Sequence, residues 1–392
     1  MSTSIHGPRV LVVTRRFWPF TDDNCQRLLQ FCAALTRAGA TVTVLTARWH
    51  SSWPAYSVCR EVPVHRLLPS PNTNWNESHF QKNAVQWISK TAKNYDCIYV
   101  DRADSLVASL QCKSSKWNLP IVVRFSPEES GFGLATGLRI TQVAMADQCR
   151  RVARIVCPTP NAHRILVSQG ITESQIVRIA DTAWEHVSRS EELRTNASNA
   201  LFDTSSDFLI PGRTDLLLHL GVSESIPLRK AIQVVCDLLD SGAAMRMWII
   251  GSGLDPSLFY DLIKSRGWHR EILLFDGFDD LQELIRVTDL CIASNPKEAI
   301  QYTLPTLASA GVPMMIADNQ ECRAWLPENQ HFQLYSTEQA LALKLQDFLA
   351  NRERWTSAAG ALRQTMRRGK TLDECIQQWL SLFRDSILEC KA

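Results

Sequence analysis

Short apolar runs alternate along the chain with longer stretches in which apolar residues recur at helical spacing. Runs such as RVLVVT and MRMWII have the length and the composition of buried strands. In the stretch NCQRLLQFCAALTR, Leu28, Phe31, Cys32 and Leu35 form one apolar stripe, and Gly39 follows as a C-cap. This alternation is typical of a parallel sheet covered by helices on both faces, so the predicted fold class is α/β.

The same pattern predicts individual strands in both halves of the chain. In the first half they lie at residues 9–14, 41–45, 62–68, 97–101, 120–124, 154–157 and 176–179. In the second half they lie at residues 216–220, 247–250, 272–275, 290–293 and 313–316. Helical stretches separate most of these strands, and the tail over residues 337–388 is predicted to be helical throughout.

The alternation is interrupted by a polar stretch near the middle of the chain. The apolar period weakens between residues 185 and 213, where Ser, Asn and Asp are frequent, and the strand LLLHLG follows. We therefore predict a Rossmann-like domain over residues 1–185, a polar linker over 186–213 and a second Rossmann-like domain over 214–370. Doubly wound domains of this kind bind ligands in the crevice outside the carboxyl ends of their strands.

Composition and charge narrow the class of protein. Hydrophobic residues make up 45% of the 392 residues and charged residues 21%, which favours a folded protein over a disordered or collagen-like one. Lys and Arg number 42 against 40 Asp and Glu, so the net charge of +2 provides no broad basic surface, and a nucleic-acid partner is not expected. The 12 cysteines include no C-x-x-C pair, which favours reduced thiols.

The sequence also bears on location. No apolar run approaches the roughly 20 residues of a membrane span. The opening MSTSIHGPR contains no apolar signal region. We therefore expect a cytoplasmic protein.

Three segments, in their order and spacing, carry a family resemblance. The first is RVLVVTRRFWPFTDDNCQRLLQFCAALTRAGATVTVLT, and the second is RRVARIVCPTPNAHRILVSQGITESQIVRIAD. The third, MRMWIIGSGLDPSLFYDLIKSRGWHREILLFDGFDDLQELIRVTDLCIASNPKEA, follows a "G-x-G", "F-L-G-F", "L-Y-x-x-A-D-L" and "P-S-x-x-E" succession. Together they resemble the GT-B glycosyltransferases, and within them glycosyltransferase family 4, also called group 1.

The resemblance implies a fold and an activity. It implies two Rossmann-like domains that face each other across a cleft, the first on the acceptor side and the second holding a nucleotide-diphosphate sugar donor. It also implies that the C-terminal helix, residues 371–392, packs back on the N-terminal domain. The implied reaction is sugar transfer, with retention, to a glycan, lipid or small-molecule acceptor, without a metal or another cofactor.

Four positions are identified through the donor side of the resemblance. Glu298 falls where the family has the first Glu of its E-x7-E motif, which implies contact with hydroxyls of the donor sugar; the alternative is a solvated Glu at a helix start. Thr306 replaces the second Glu, a partner of the nucleotide ribose. Gly251 and Gly253 keep the family's G-x-G, which can equally be a tight turn between a strand and a helix.

The expected phosphate-binding residues are partly replaced. Arg229 and Lys230 lie where the family has a Lys for the donor diphosphate, and the alternative is a solvated basic pair. The family's preceding Arg is Val222 here. Asp22 and Asp23 replace a Gly pair close to the donor phosphates. They would repel a diphosphate unless they are turned away or protonated, and the alternative is that they form an N-cap for the helix that follows.

Polar residues at predicted strand ends suggest the acceptor side. Asp101, Arg102 and Arg124 lie at carboxyl ends of predicted strands, which form the ligand-binding edge of an open α/β sheet. They either recognise an acceptor or pair with one another as a salt bridge.

Tryptophans offer a second surface. Trp49 and Trp53 follow the second strand, and Trp75 lies beyond them in a polar region. Such residues can stack on sugar rings or enter a membrane surface, so peripheral contact with the inner face of a membrane is expected. The alternative is that they pack beneath long loops. The resemblance implies a carbohydrate or lipid-linked acceptor as the partner.

The departures from the family pattern leave two hypotheses open. They fall at Asp22 with Asp23, Val222, Ala299 with Gln301, and Thr306. Under the first hypothesis the chain is a glycosyltransferase. Under the second it is a family member whose donor site has decayed and which acts as a binding or scaffold protein.

Overall fold

The structure is a computed structural model of the 392-residue chain. It describes residues 7–20, 22–68, 77–103, 105–125, 149–181, 187–211, 214–220, 225–251, 257–275, 281–295, 300, 302–368 and 371–391. The chain forms two compact units. Residues 1–18, 28–183 and 371–392 make up the first unit, and residues 19–27 and 184–370 make up the second.

The strands of the two units are as follows. In the first unit they are β1 Arg9–Val13, β2 Thr41–Ala47, β3 Tyr56–Cys59, β4 Val62–Leu67, β5 Cys97–Val100, β6 Ile121–Arg124, β7 Arg154–Cys157 and β8 Ile176–Arg178. In the second unit they are β9 Asp215–Leu220, β10 Met245–Ile250, β11 Ile272–Phe275, β12 Leu290–Ala293, β13 Met314–Ala317 and β14 Leu334–Tyr335.

Helices connect these strands and cover the sheets. The α-helices are α1 Asp23–Arg37, α2 Glu77–Thr91, α3 Ser105–Trp117, α4 Pro160–Ser168, α5 Glu191–Thr204, α6 Ser225–Asp240, α7 Ser257–Ser265, α8 Gln282–Val287, α9 Thr303–Ala310, α10 Gln320–Trp325, α11 Glu338–Ala350, α12 Arg352–Arg367 and α13 Leu372–Lys391. Short 3₁₀ helices span Ala92–Asn94, Glu173–Gln175, Ser206–Phe208 and Glu328–Gln333. The predicted α/β fold class is confirmed.

The first unit contains an eight-stranded sheet with the order β3-β4-β2-β1-β5-β6-β7-β8. Its strands are parallel except for the antiparallel pair β3 and β4. In β1, Val10 and Val12 join one apolar cluster while Leu11 and Val13 join another. Because successive side chains of a strand point to opposite faces, this continuous apolar run is the signature of a sheet covered on both sides.

The helix pattern of the sequence is realised in α1 and α13. The amide of Cys25 donates to Asp22 Oδ1 at 2.8 Å, which caps the start of α1. Gly39 follows α1 with a φ of 95°, a left-handed conformation that glycine adopts without a steric penalty. In α13 the ring of Trp379 lies 4.9 Å from that of Phe31, so the C-terminal helix packs on the first unit.

The second unit contains a six-stranded, all-parallel sheet with the order β11-β10-β9-β12-β13-β14. From β9 the chain proceeds to β10 and β11 on one side, and then crosses to β12, β13 and β14 on the other. The boundary between β9 and β12 is therefore the topological switch point of this sheet, where ligands of doubly wound folds bind. In the first unit the corresponding boundary lies between β1 and β5.

The segment predicted as a polar linker contains a helix instead. Helix α5 lies within residues 186–213 and belongs to the second unit, where Ala197 and Leu201 are buried. The Ser190 side chain caps its first turn. Arg194 forms a bidentate ion pair with Asp289, with Nη1 to Oδ1 at 2.7 Å and Nη2 to Oδ2 at 2.9 Å. A narrow apolar stripe and one long-range ion pair are sufficient to hold this polar helix, and the weak periodicity of the sequence concealed it.

Other differences are local. The pattern did not predict the short strands β3 and β14, each of which lies at one edge of its sheet. The tail is divided into α11, α12 and α13, whereas the sequence predicts helix throughout.

Candidate functional site

Polar groups gather at the switch point of the second unit. His219 is the penultimate residue of β9, and Ser294 directly follows β12. The His219 Nε2 lies 2.6 Å from the Ser294 Oγ, which joins the two strands at their carboxyl ends. Gly251, which follows β10, is buried, and its amide donates to the carbonyl of Phe275 at 3.2 Å.

The His219 ring is buried. It is 1% exposed, and burial lowers the pKa of His219 to about 4, so the ring is neutral at pH 7. Its Nδ1 is buried without a hydrogen-bond partner. Leu217, two residues earlier on the same face of β9, packs in the apolar cluster beneath α6.

The amino end of α9 holds a carboxylate. The amide of Tyr302 donates to Asp23 Oδ2 at 3.0 Å, and the amide of Thr303 donates to Asp23 Oδ1 at 2.6 Å. The first amides of a helix have no partner within the helix and carry the positive end of its dipole, so they bind anions. Asp23 is therefore turned onto α9, while Asp22 caps α1, which is the N-cap alternative considered for this pair.

Thr306 lies in the interior of α9, a helix whose residues are all buried. The side chain is 1% exposed, and Thr306 Oγ1 is buried without a hydrogen-bond partner. Its amide donates to the carbonyl of Tyr302 at 2.9 Å as part of the helix. A buried hydroxyl without a partner costs stability.

The two candidate cations lie on the surface of α6. Arg229 and Lys230 are exposed in the second turn of the helix. Lys230 Nζ forms an ion pair with Glu338 Oε1 at 2.9 Å, and the two side chains are 54% and 48% exposed. In this structure Lys230 thus pairs with the first turn of α11.

The remaining donor-side predictions lie outside the described residues. These are Glu298 and Gly253, together with the substituted positions Val222, Ala299 and Gln301.

In the first unit, Asp101 and Arg124 contact residues outside the predicted set. The Tyr99 hydroxyl donates to Asp101 Oδ1 at 2.7 Å, beside the switch point after β5. Arg124, at the end of β6, forms a bidentate ion pair with Asp181. Its Nε donates to Oδ1 at 3.1 Å, and its Nη2 donates to Oδ2 at 2.5 Å. The Arg124 side chain is 1% exposed and that of Asp181 18%. Arg102 is half-buried.

The tryptophans after β2 are held by arginines. Trp49 Nε1 donates to the carbonyl of Arg15 at 2.7 Å, and the Arg16 guanidinium lies 5.0 Å from the Trp49 ring. The Arg66 guanidinium lies 5.9 Å from the ring of Trp53. Both tryptophans are half-buried, as the packing alternative predicts, and Trp75 lies outside the described residues.

Two kinds of feature are absent from the described residues. They contain no group of three or more His, Cys, Asp and Glu side chains arranged to hold a metal ion. Within the same part of the chain, no helix combines the length and the apolar character needed to span a membrane.

Sequence reasoning did not single out three residues of these sites. Asp181 follows a predicted strand in the sequence RIAD, so the rule that selected Asp101 also applies to it. His219 interrupts the apolar strand LLLHL, and a histidine inside such a run was a signal for a buried polar contact. Ser294 carries no comparable signal.

Comparison with known proteins gives two matches to family sequence models. Residues 26–180 match the model of Glycosyltransferase Family 4. Residues 294–381 match a model described as glycosyl transferase-like. Among curated protein sequences none matches this chain.

Solved structures share the fold over nearly the full length. Sucrose-phosphate synthase from Thermosynechococcus elongatus is 13% identical with a TM-score of 0.72, covering 97% of this chain and 100% of its own. Anabaena HepE in complex with UDP and glucose is 14% identical with a TM-score of 0.67, covering 96% and 99%. The catalytic domain of starch synthase IV from Arabidopsis thaliana, bound to ADP and acarbose, is 13% identical with a TM-score of 0.62, covering 97% of this chain and 100% of that domain.

Proposed function

We propose that this chain, which matches the Glycosyltransferase Family 4 model over residues 26–180 and a glycosyl transferase-like model over residues 294–381, transfers a sugar, with retention, from a nucleotide-diphosphate donor to a hydroxyl acceptor. The bond between the anomeric carbon and the phosphate oxygen breaks, and a bond from that carbon to the acceptor oxygen forms. The nucleoside diphosphate leaves with the electron pair of the broken bond, and the acceptor hydroxyl gives up its proton to the departing phosphate or to water. The site must therefore bind a diphosphate and stabilise the charge that develops on it.

The observation that supports this proposal is the binding of the Asp23 carboxylate at the amino end of α9. Two adjacent amides at the amino end of α9 bind both oxygens of the Asp23 carboxylate. The same amides can donate to two oxygens of a phosphate, because both ligands are anionic acceptors of similar spacing. They belong to the helix that follows β12, one of the two strands at the switch point.

Glu298 is proposed to act on the donor sugar. It follows Ser294 by four residues, and the family resemblance assigns it to hydroxyls of the sugar. A carboxylate there accepts hydrogen bonds from hydroxyls and favours the positive charge that develops at the anomeric carbon. No metal or other cofactor enters this proposal.

Donor and acceptor classes follow from relatives and from the first unit. The relatives bound to UDP with glucose and to ADP suggest testing uridine and adenosine diphosphate glucose first. On the acceptor side, Asp101 and Arg102 are the polar candidates at the carboxyl edge of the first sheet, and a glycan or lipid-linked hydroxyl is the proposed acceptor.

A specific observation also favours the second candidate, a member whose donor site has decayed. Asp23 occupies the α9 amides, and Lys230 is paired with Glu338. A protein that fills its own anion site and neutralises its own cation has less to offer a diphosphate. The experiment must therefore measure binding and turnover separately.

The experiment combines calorimetry with product analysis. Purified protein is titrated with UDP, GDP and ADP, and is then incubated with the corresponding sugar nucleotides and a panel of glycan and lipid-linked acceptors. The configuration of the product at the anomeric carbon is read by NMR. Binding with turnover and a retained configuration supports the proposal, whereas an inverted product contradicts the retaining mechanism.

Glu298→Gln tests the catalytic assignment. The amide keeps the shape of the side chain but removes its charge, and we expect kcat to fall by about tenfold to a thousandfold with nearly unchanged nucleotide affinity. Glu328→Gln is the matched control, because Glu328 is an exposed glutamate of the same unit. Equal turnover by the Glu298 variant and wild type would make Glu298 structural. Absence of both nucleotide binding and turnover in wild type would favour the decayed site.

A further inference from the structure

The polar pair at the switch point of the second unit has no role in the function proposed above. His219 and Ser294 belong to the two strands between which the sheet reverses its order. Their side chains are 1% and 7% exposed, and the His219 Nε2 to Ser294 Oγ distance is 2.6 Å. Ligands of doubly wound sheets bind outside these strand ends, so the pair lies directly beneath the expected donor crevice.

The buried pair of His219 and Ser294 lowers the stability of the fold. The preceding residues of β9, Leu216, Leu217 and Leu218, are fully buried leucines. A fourth leucine at position 219 would continue the apolar core, whereas the histidine buries Nδ1 without a partner. Buried polar groups that stability does not explain are concentrated at functional sites.

Only one of the two ring nitrogens has a contact. The Nε2 reaches Ser294, and Ser294 is the first residue after β12 on the path to Glu298. A hydrogen bond to the Ser294 hydroxyl holds the point at which that segment leaves the sheet. The neutral state of the ring is compatible with either direction of this hydrogen bond.

We propose that His219 is a positioning residue of the donor site, which acts through its Nε2 contact with Ser294 to fix the start of the segment that carries Glu298. The inference rests on the proposed function, because Glu298 must act on the donor sugar. Catalytic groups need to be held within a fraction of an ångström of their working position, and supporting hydrogen bonds provide that precision.

Amide substitutions separate this role from a general contribution to the core. The terminal amide of glutamine reaches about as far from the backbone as Nε2, and that of asparagine about as far as Nδ1. His219→Gln can therefore keep the bond to Ser294, whereas His219→Asn cannot. Ser294→Ala removes the same bond from its other end.

Thr288→Val is the matched control at the other end of β12. The Thr288 hydroxyl is buried and donates to the carbonyl of Leu284 at 2.6 Å, just before β12 begins. This substitution also removes one buried hydrogen bond in the same unit. It lies at the amino edge of the sheet, away from the expected crevice.

The test measures kcat, affinity for nucleoside diphosphate, and urea unfolding for all four variants. We expect His219→Asn and Ser294→Ala to lower kcat by about tenfold to a hundredfold, and His219→Gln to remain within about threefold of wild type. Nucleotide affinity should stay within about twofold throughout, because Glu298 acts on the sugar and not on the diphosphate. Thr288→Val should lose stability without a comparable loss of kcat.

Three results would overturn the inference. The first is a kcat of His219→Gln as low as that of His219→Asn. The second is wild-type kcat in His219→Asn. The third is a loss of kcat in every variant in proportion to its loss of stability, Thr288→Val included.

A second measurement keeps this test separate from that of the proposed function. If wild type neither binds nucleotides nor transfers sugar, the proposed function has failed, and hydrogen exchange of peptides that begin at Ser294 tests the positioning itself. Faster exchange in His219→Asn than in His219→Gln is the expected result. Equal exchange in the two variants would overturn the positioning role.

Discussion

Asp23→Asn distinguishes two interpretations of the amino end of α9. Either its amides form a phosphate-binding site that Asp23 occupies, or Asp23 only caps the helix. The Asp23 carboxylate accepts two hydrogen bonds, from the amides of Tyr302 at 3.0 Å and Thr303 at 2.6 Å. An asparagine offers one acceptor oxygen, and its other terminal atom is an amide nitrogen that cannot accept. The variant therefore frees one amide of α9 and removes the negative charge from the amino end of the helix.

The magnitude follows from what is lost. A charge-assisted hydrogen bond contributes about 1.5 to 3 kcal/mol, and a carboxylate at a helix amino end a further 0.3 to 1 kcal/mol or so. A diphosphate that binds the same amides in wild type must first displace Asp23, and in the variant that cost is reduced. The two contributions together are about 1.8 to 4 kcal/mol, so we expect the affinity for a nucleoside diphosphate to rise by about twentyfold to several hundredfold, since each 1.4 kcal/mol is a factor of ten.

Asp22→Asn is the matched control in this assay. Asp22 is the preceding residue, and its Oδ1 accepts from the amide of Cys25 at 2.8 Å, at the start of α1. The control removes the same charge and leaves the α9 amides bound to Asp23. Calorimetric titration with UDP, GDP and ADP at one ionic strength compares the two variants with wild type.

The two interpretations of α9 give opposite results. If its amides form the diphosphate site, Asp23→Asn binds nucleotide more tightly than both wild type and Asp22→Asn, although its free energy of unfolding falls. If the amides are only capped, Asp23→Asn loses stability and its nucleotide affinity does not exceed that of the control. The second result would refute the assignment of α9 as the phosphate-binding helix.

Two further predictions concern stability. Trp379→Ala in α13 should lower the free energy of unfolding by about 3 to 5 kcal/mol in urea, because its buried ring packs against Phe31, whereas Leu388→Ala on the exposed side of the same helix should change it by less than about 0.5 kcal/mol. Burial raises the pKa of Asp215 to about 6 against the opposing effect of Arg352, so between about pH 4 and pH 6 the folded protein binds a proton that the unfolded chain has lost. The free energy of unfolding of wild type, relative to that of Asp215→Asn, should therefore fall as the pH rises over that interval, by about 1 to 2 kcal/mol after solvent screening. A constant difference between the urea midpoints of the two proteins would contradict this prediction.

Local pattern was sufficient to predict most of the strands and helix α1. The run RVLVV is buried on both faces, and both α1 and its terminal Gly39 are where the periodicity places them. Helix α5 was missed because only Ala197 and Leu201 of its residues are buried, although Ser190 followed by two glutamates was a recognisable start signal. Edge strands such as β3 were missed for a related reason, since half of its alternation faces solvent.

The partners of the candidate residues could not be predicted, because they are distant in the sequence. Arg124 pairs with Asp181 across 57 positions, and Asp23 reaches Thr303 across 280. Local periodicity contains no information on such pairs. The sequence did indicate which edge of each sheet to search, because the carboxyl ends of parallel strands meet there.

The candidate ligand-binding side chains differ in the free energy needed to break the contacts that they make within the protein. The exposed pair of Lys230 and Glu338 contributes at most about 1 kcal/mol, so a diphosphate can recruit Lys230 at little cost. The Arg124 guanidinium is fully buried in its bidentate ion pair with Asp181, and breaking a buried pair costs about 3 to 5 kcal/mol. An acceptor hydroxyl, which returns one or two neutral hydrogen bonds of about 1 kcal/mol each, cannot compensate for that loss. Arg124 therefore has a structural role within the first unit, whereas Lys230 stays a candidate for binding the phosphates. The cost of displacing Asp23 lies between the costs of breaking these two pairs, because an incoming diphosphate carries the negative charge needed to replace its carboxylate.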